Sequence, residues 1–188
     1  MAGSAFLGLS KEKVIKMVAR NIKPSLAHEG TDVETSATRE LPEKRIDSVT
    51  LIYVPLHLGG PHKGTSMGPA AIRVQELAER IGKLGFKVTA EKEINIPHSV
   101  CWWDQNSTAK CVPEITEVSL QVAEAVESAM DAGTIPITIG GDHSLAIGSI
   151  AGVSNYYRKR SEEFGLVWFD AHGDINTPDT SSSGNVHG

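Results

Sequence analysis

Apolar positions along this chain fall into two alternating rhythms. Val49 to Leu56 is a β-branched apolar run that reads as a buried strand. It enters a Gly-rich loop, His57 to Gly68, and Pro69 suits the first turn of a helix. That helix carries Ile72, Leu77, Ile81 and Leu84, and Gly82 and Gly85 close it. Phe86 to Ile94 alternates as a second strand, and residues 95–111 are irregular. Pro113 to Ala132 has the strongest helical stripe, through Ile115, Val118, Val122, Ala125 and Ala129. Ile135 to Ile139 is a third strand, and a helix follows from about Ser144 to Arg160. Leu166 to Phe169 reads as a fourth strand, buried on both faces. Strands alternating with helices predict an α/β fold: a three-layer, doubly wound, mostly parallel sheet with ligands at the carboxyl ends of its strands.

Ahead of this lies a different kind of sequence. Residues 10–21 predict a short helix, and residues 22–47 are polar, with Pro24, Gly30, Pro42 and little periodicity. We divide the chain into an extension over 1–47 and an α/β domain over 48–188. The extension is basic at its start, with Lys11, Lys13, Lys16, Arg20 and Lys23 against Glu12. A solvated helix in a cytoplasmic protein is the expectation, with a mitochondrial presequence as the alternative.

Composition narrows the classes. Apolar residues at 40% and charged residues at 22% suit a globular domain. A net charge of −5 argues against a nucleic-acid partner, and no apolar run approaches a membrane span. Two cysteines, Cys101 and Cys111, give no disulfide framework, so reduced thiols are expected.

The chemistry collects at strand ends. Asp170, His172 and Asp174 alternate beyond the fourth strand, and in extended chain i and i+2 share a side about 6–7 Å apart. Asp174 joins them if the chain bends at Gly173. Two carboxylates and an imidazole leaving a core strand call for a cation. The third strand ends in Gly140-Gly141-Asp142-His143, which adds a second imidazole. With no cysteine among these candidates and carboxylates beside imidazoles, manganese fits, with zinc or iron open. Two bridged ions would share a hydroxide able to attack an electrophilic carbon. His57 and His62 read as surface positions, His98 with the cysteines lacks zinc-ribbon spacing, and Trp102 and Trp103 read as loop packing.

Gly140-Gly-Asp-His-Ser144 and Asp170-Ala-His-Gly-Asp174 resemble the two metal motifs of the ureohydrolases, the arginase, agmatinase and formimidoylglutamase family. Gly68-Pro-Ala-Ala-Ile-Arg73 is also similar to that family, and 174–188 resembles the arginase branch. The resemblance covers roughly residues 48–188 and corresponds to the family's N-terminal portion only. It implies two Mn²⁺ ions, with His143, Asp170 and Asp174 on one, Asp170 and His172 on the other, and Asp170 bridging. It gives Asp174 a hydrogen bond to the bridging hydroxide and proton delivery to the leaving amine. His187 matches a proton shuttle. Asn176, Ser181, Ser183 and Asn185 match residues that read the α-carboxylate of arginine. The implied reaction is hydrolysis of L-arginine to L-ornithine and urea, by a homotrimer in the full-length protein. Family members are longer, and a later Ser-x-Asp-x-Asp segment completes both metal sites. Weak metal binding and little activity are therefore expected of this chain alone. An agmatine hydrolase and a non-catalytic truncated product are the alternatives.

Overall fold

A computed structural model of the chain describes residues 46–97 and 109–186. The predicted 10–21 helix, nearly all of the extension, His98, Cys101, Trp102, Trp103 and His187 lie outside the described residues.

Everything else is laid against β1 (Ser48–Val54), whose last six residues are buried. It runs parallel to β2 (Lys87–Glu93) on one side and to β3 (Ile135–Gly140) on the other, giving the order β2-β1-β3. Between β1 and β2 come a 3₁₀ turn (Lys63–Met67), α1 (Gly68–Val74) and α2 (Leu77–Lys83); α3 (Val112–Asp131) joins β2 to β3, and α4 (Leu145–Arg158) follows. From β1 to β2 and from β2 to β3 the chain moves in opposite directions, so right-handed crossovers put their helices on opposite faces.

The core shows this. Ile52, Val54 and Leu56 pack with Val118, Val122, Val126 and Val153 of α3 and α4. Val49, Leu51 and Tyr53 pack with Ile81 of α2 and with Ile139. Period-two alternation along one strand thus divides two cores. The chain has a three-layer α/β architecture with an open parallel sheet. Helices α3 and α4 meet closely because α4 offers Gly148 and Gly152 at i, i+4. A Cβ on Gly148 would come within 2.8 Å of Val122 Cβ, and one on Gly152 within 2.8 Å of Val126 Cβ.

Three expectations are corrected. The helix drawn through Ile72, Leu77 and Leu84 is two helices, because Glu76 takes a left-handed φ of 57°. The strand over Leu166–Phe169 does not form: that stretch carries no regular structure, Leu166 and Val167 are half-exposed, and Phe169 is 88% exposed. Burial on both faces needs a paired flank and a layer on each side, and no strand among the described residues pairs with this run. Phe164 alone before it is anchored, stacked on Tyr157 at 5.5 Å. Lastly, Cys111 is disulfide-bonded rather than free; the expectation of free thiols had rested on cysteine number, which carries no information on proximity.

Candidate metal centre

The order β2-β1-β3 places the reversal of winding between β1 and β3. At that point loops diverge from the strand ends and leave a crevice. His143 lies there, three residues beyond Gly140. It is held in a tight turn in which Ala146 N–H donates to the His143 carbonyl at 3.0 Å, opening α4.

The later segment brings carboxylates to this imidazole. Asp170 Oδ2 is 3.2 Å from His143 Nδ1, and Asp174 Oδ2 is 3.5 Å from His143 Nε2. One donor atom from each of the three residues falls within 4.8 Å of the others. The backbone of 170–174 is largely exposed, yet both carboxylates turn inward, with side-chain exposures of 18% and 21%. The bend is made by Asp174 itself, at a left-handed φ of 49°, rather than by Gly173. Trp168 closes the other side, its ring stacked on His143 at 4.9 Å.

Electrostatics favour the charged form of Asp170. His172 N–H donates to Asp170 Oδ1 at 2.9 Å, and this bond, helped by the nearby imidazoles, holds the Asp170 carboxyl below its ordinary value. Asp174 Oδ2 is buried and has no hydrogen-bond partner among the described residues. A buried carboxylate oxygen left unsatisfied is costly, and a cation would relieve it. One imidazole and two carboxylates therefore fit a single borderline or hard divalent ion. A second ion would need more ligands than this cluster supplies.

The remaining expected residues fall elsewhere. The His172 side chain is 84% exposed and reaches only Asp170 Oδ1, at 3.5 Å, so it stands outside the three-residue group. Asn176, Ser181, Ser183 and Asn185 lie in a loop braced from within. Asn176 Oδ1 accepts from Thr180 Oγ1, Ser181 Oγ from Gly184 N–H, and Ser183 Oγ from Asn185 N–H. Lys110 N–H donates to Gly184 O at 2.8 Å, fastening this loop beside the start of α3. A cavity of about 490 Å³ lies apart from the metal-facing group, at the ends of β1 and β2, lined by His57, Ser66, Glu93 and Asn95 among others. It holds none of the clustered ligands. His57 is half-buried there, and His62 is exposed as expected. Sequence reasoning missed Trp168 and Asp142 as neighbours of His143. An apolar run conceals the first and a metal motif the second.

The family model for the arginases matches residues 47–188. The chain belongs to the arginase family. The arginase of Bacillus caldovelox is 38% identical over 141 residues, covering 74% of this chain and 46% of that protein. The mitochondrial arginase-2 of Bos taurus is 36% identical over 149 residues, covering 78% and 40%. Among solved structures, native Bacillus caldovelox arginase superposes with a TM-score of 0.68 at 36% identity, covering 76% of this chain and 46% of that one. Entamoeba histolytica arginase in complex with L-ornithine gives 0.68 at 32%, covering 76% and 48%. This arginase-family chain thus spans less than half the length of these relatives, and its open sheet is an incomplete version of their fold.

Proposed function

We propose that this chain contributes the first set of metal ligands to a manganese-dependent hydrolase that converts L-arginine to L-ornithine and urea. The observation that carries the reading is the convergence of His143, Asp170 and Asp174, with one buried carboxylate oxygen that has no hydrogen-bond partner among the described residues. Bound manganese supplies Lewis-acid activation of water near neutral pH. The chain's own part is to hold the ions and manage protons. His143, Asp170 and Asp174 would hold one ion, and Asp170 and His172 would contribute to a second. Asp174 holds the proton of the attacking water and returns it to the leaving amine, and His187 relays protons to solvent.

Substrate choice rests on the loop after Asp174. Asn176, Ser181, Ser183 and Asn185 are neutral hydrogen-bonding groups that bind an α-carboxylate without setting cations beside a guanidinium or the metals. Agmatine has no carboxylate for them to read. The ligand in the Entamoeba histolytica relative, L-ornithine, is the amino-acid product of the proposed reaction. A homotrimer is proposed for the complete protein.

The isolated 188-residue chain is expected to show little or no turnover, because three clustered ligands hold one ion weakly and two not at all. A chimera tests the function directly. Residues 47–188 are joined to the second half of Bacillus caldovelox arginase, and urea release is measured with Mn²⁺. Arginine should be hydrolysed in strong preference to agmatine, and His143→Ala should abolish it. Agmatine turnover equal to or above arginine turnover would transfer the assignment to an agmatine hydrolase. A folded chimera without activity on either would leave the non-catalytic reading.

A further inference from the structure

We propose that Asp142 is a positioning residue: its carboxylate ties the loop after β1 to the loop after β3 and so fixes the His143 imidazole toward Asp170 and Asp174. This deepens the metal-site reading above and adds a residue that the reaction itself does not use.

Asp142 is 6% exposed, and no cation pairs with it among the described residues. A buried carboxylate is expensive unless its oxygens are saturated, and here they are. Oδ2 accepts Gly59 N–H at 2.8 Å. Oδ1 accepts both Ser144 N–H, at 2.9 Å, and the Ser144 hydroxyl. The backbone adds two links between the same loops, Asp142 N–H to Leu56 O at 2.8 Å and Gly141 N–H to Val54 O at 3.2 Å. Both residues flanking His143 are thereby pinned, which fixes the direction of its Cα–Cβ bond.

Two details show that the contact is specific rather than filler. Ser144 occupies the N-cap of α4, where a serine hydroxyl ordinarily accepts an N–H from the first turn. It makes no such bond and turns to Asp142 instead. Position 59 has no room for a side chain, since a Cβ would lie 2.7 Å from Ser144 Cβ and 2.8 Å from Asp142 Oδ1. The clamp needs glycine on one loop and aspartate on the other, 83 residues apart in sequence.

A purely structural Asp142 would affect stability alone. A positioning Asp142 also moves the His143 ring while the chain stays folded. The full 188-residue chain is read in two ways, by the imidazole proton shifts of His143 without metal and by titration with Mn²⁺ alone. In the wild type the stack on Trp168 displaces those shifts upfield. Asp142→Asn and Gly59→Ala should return them toward free-histidine values and weaken Mn²⁺ binding at least about tenfold, as loss of a ligand-orienting partner does. A cooperative melt should persist. Unchanged shifts in folded Asp142→Asn or Gly59→Ala overturn the proposal. If neither folds, Ser144→Ala, which removes only the hydroxyl donor, decides: a smaller displacement of the same signals supports the clamp, and none rejects it. A wild type that binds no Mn²⁺ but loses its ring shifts in the variants refutes the metal reading and keeps the clamp.

Discussion

Among the described residues from Ser48 to Arg158 each strand is paired and each α-helix buries at least one residue. From Glu162 to Val186 the same chain forms no helix and no multi-residue ladder. Yet the second region supplies two of the three side chains that converge at the candidate metal centre. The first is held by contacts internal to its own layers. The second is held by its ends, through Phe164 on Tyr157 and Gly184 on Lys110, and by the cluster around His143. Stability and chemistry in this protein are therefore lodged in different stretches.

The contrast can be broken in four ways. The heaviest blow should be Leu51→Ala, since Leu51 is fully buried in the central strand. We expect a loss of about 3 kcal/mol in urea unfolding followed by circular dichroism; a loss below about 1 kcal/mol would remove β1 from its central place. Next, Mn²⁺ at about 100 times its dissociation constant should stabilise the folded chain by about 2.7 kcal/mol. The same urea titration reads that gain, and without metal the amides of 168–174 should exchange by local opening much faster than those of 49–54. Protection spread evenly through both would show that the regions are one unit.

A third test reaches the packed region through pH. Burial, with help from Tyr156 and Glu162, pushes the Tyr157 hydroxyl up to about 12 from the 10.0 of an ordinary tyrosine. The folded state thus prefers the protonated form. Its contribution to stability is full below pH 10, shrinks above it, and is gone once pH has passed about 12. Tyr157→Phe should flatten that alkaline decline, and an unchanged slope would assign it to other groups. The smallest effect belongs to the open region: Phe169→Ser should change stability by no more than about 0.5 kcal/mol, measured by the same urea titration. A cost like that of Leu51→Ala would mean that Phe169 is packed.

This division also explains what could be read from residues alone. Strands β1 and β3 and helices α3 and α4 were legible to within about two residues because each buries apolar residues at a regular spacing, and β2 from its alternation, although only Val88 in it is partly buried. The break at Glu76 was not, because a glutamate with left-handed φ leaves no mark on an apolar stripe. The run Leu166–Phe169 misled in the opposite direction. Its composition is that of a buried strand, but burial depends on partners that local sequence does not contain. At the site, motif singled out His143, Asp170 and Asp174 as candidates, while a position at a strand end holds for His143 alone among the three. The hold of Asp142 on Gly59 was not legible, since no spacing rule connects residues so distant.

Asp174 pays twice for its place. A non-glycine residue in the left-handed region costs about 1–2 kcal/mol, and its inward oxygen lacks a hydrogen-bond partner among the described residues. Selection for folding alone would favour glycine or asparagine at 174, relaxing the turn and discarding the charge. Asp174→Gly should therefore melt at a higher temperature than the parent without metal and respond less to Mn²⁺ when it is added. What offsets both costs is the cation that Asp174 is proposed to help hold.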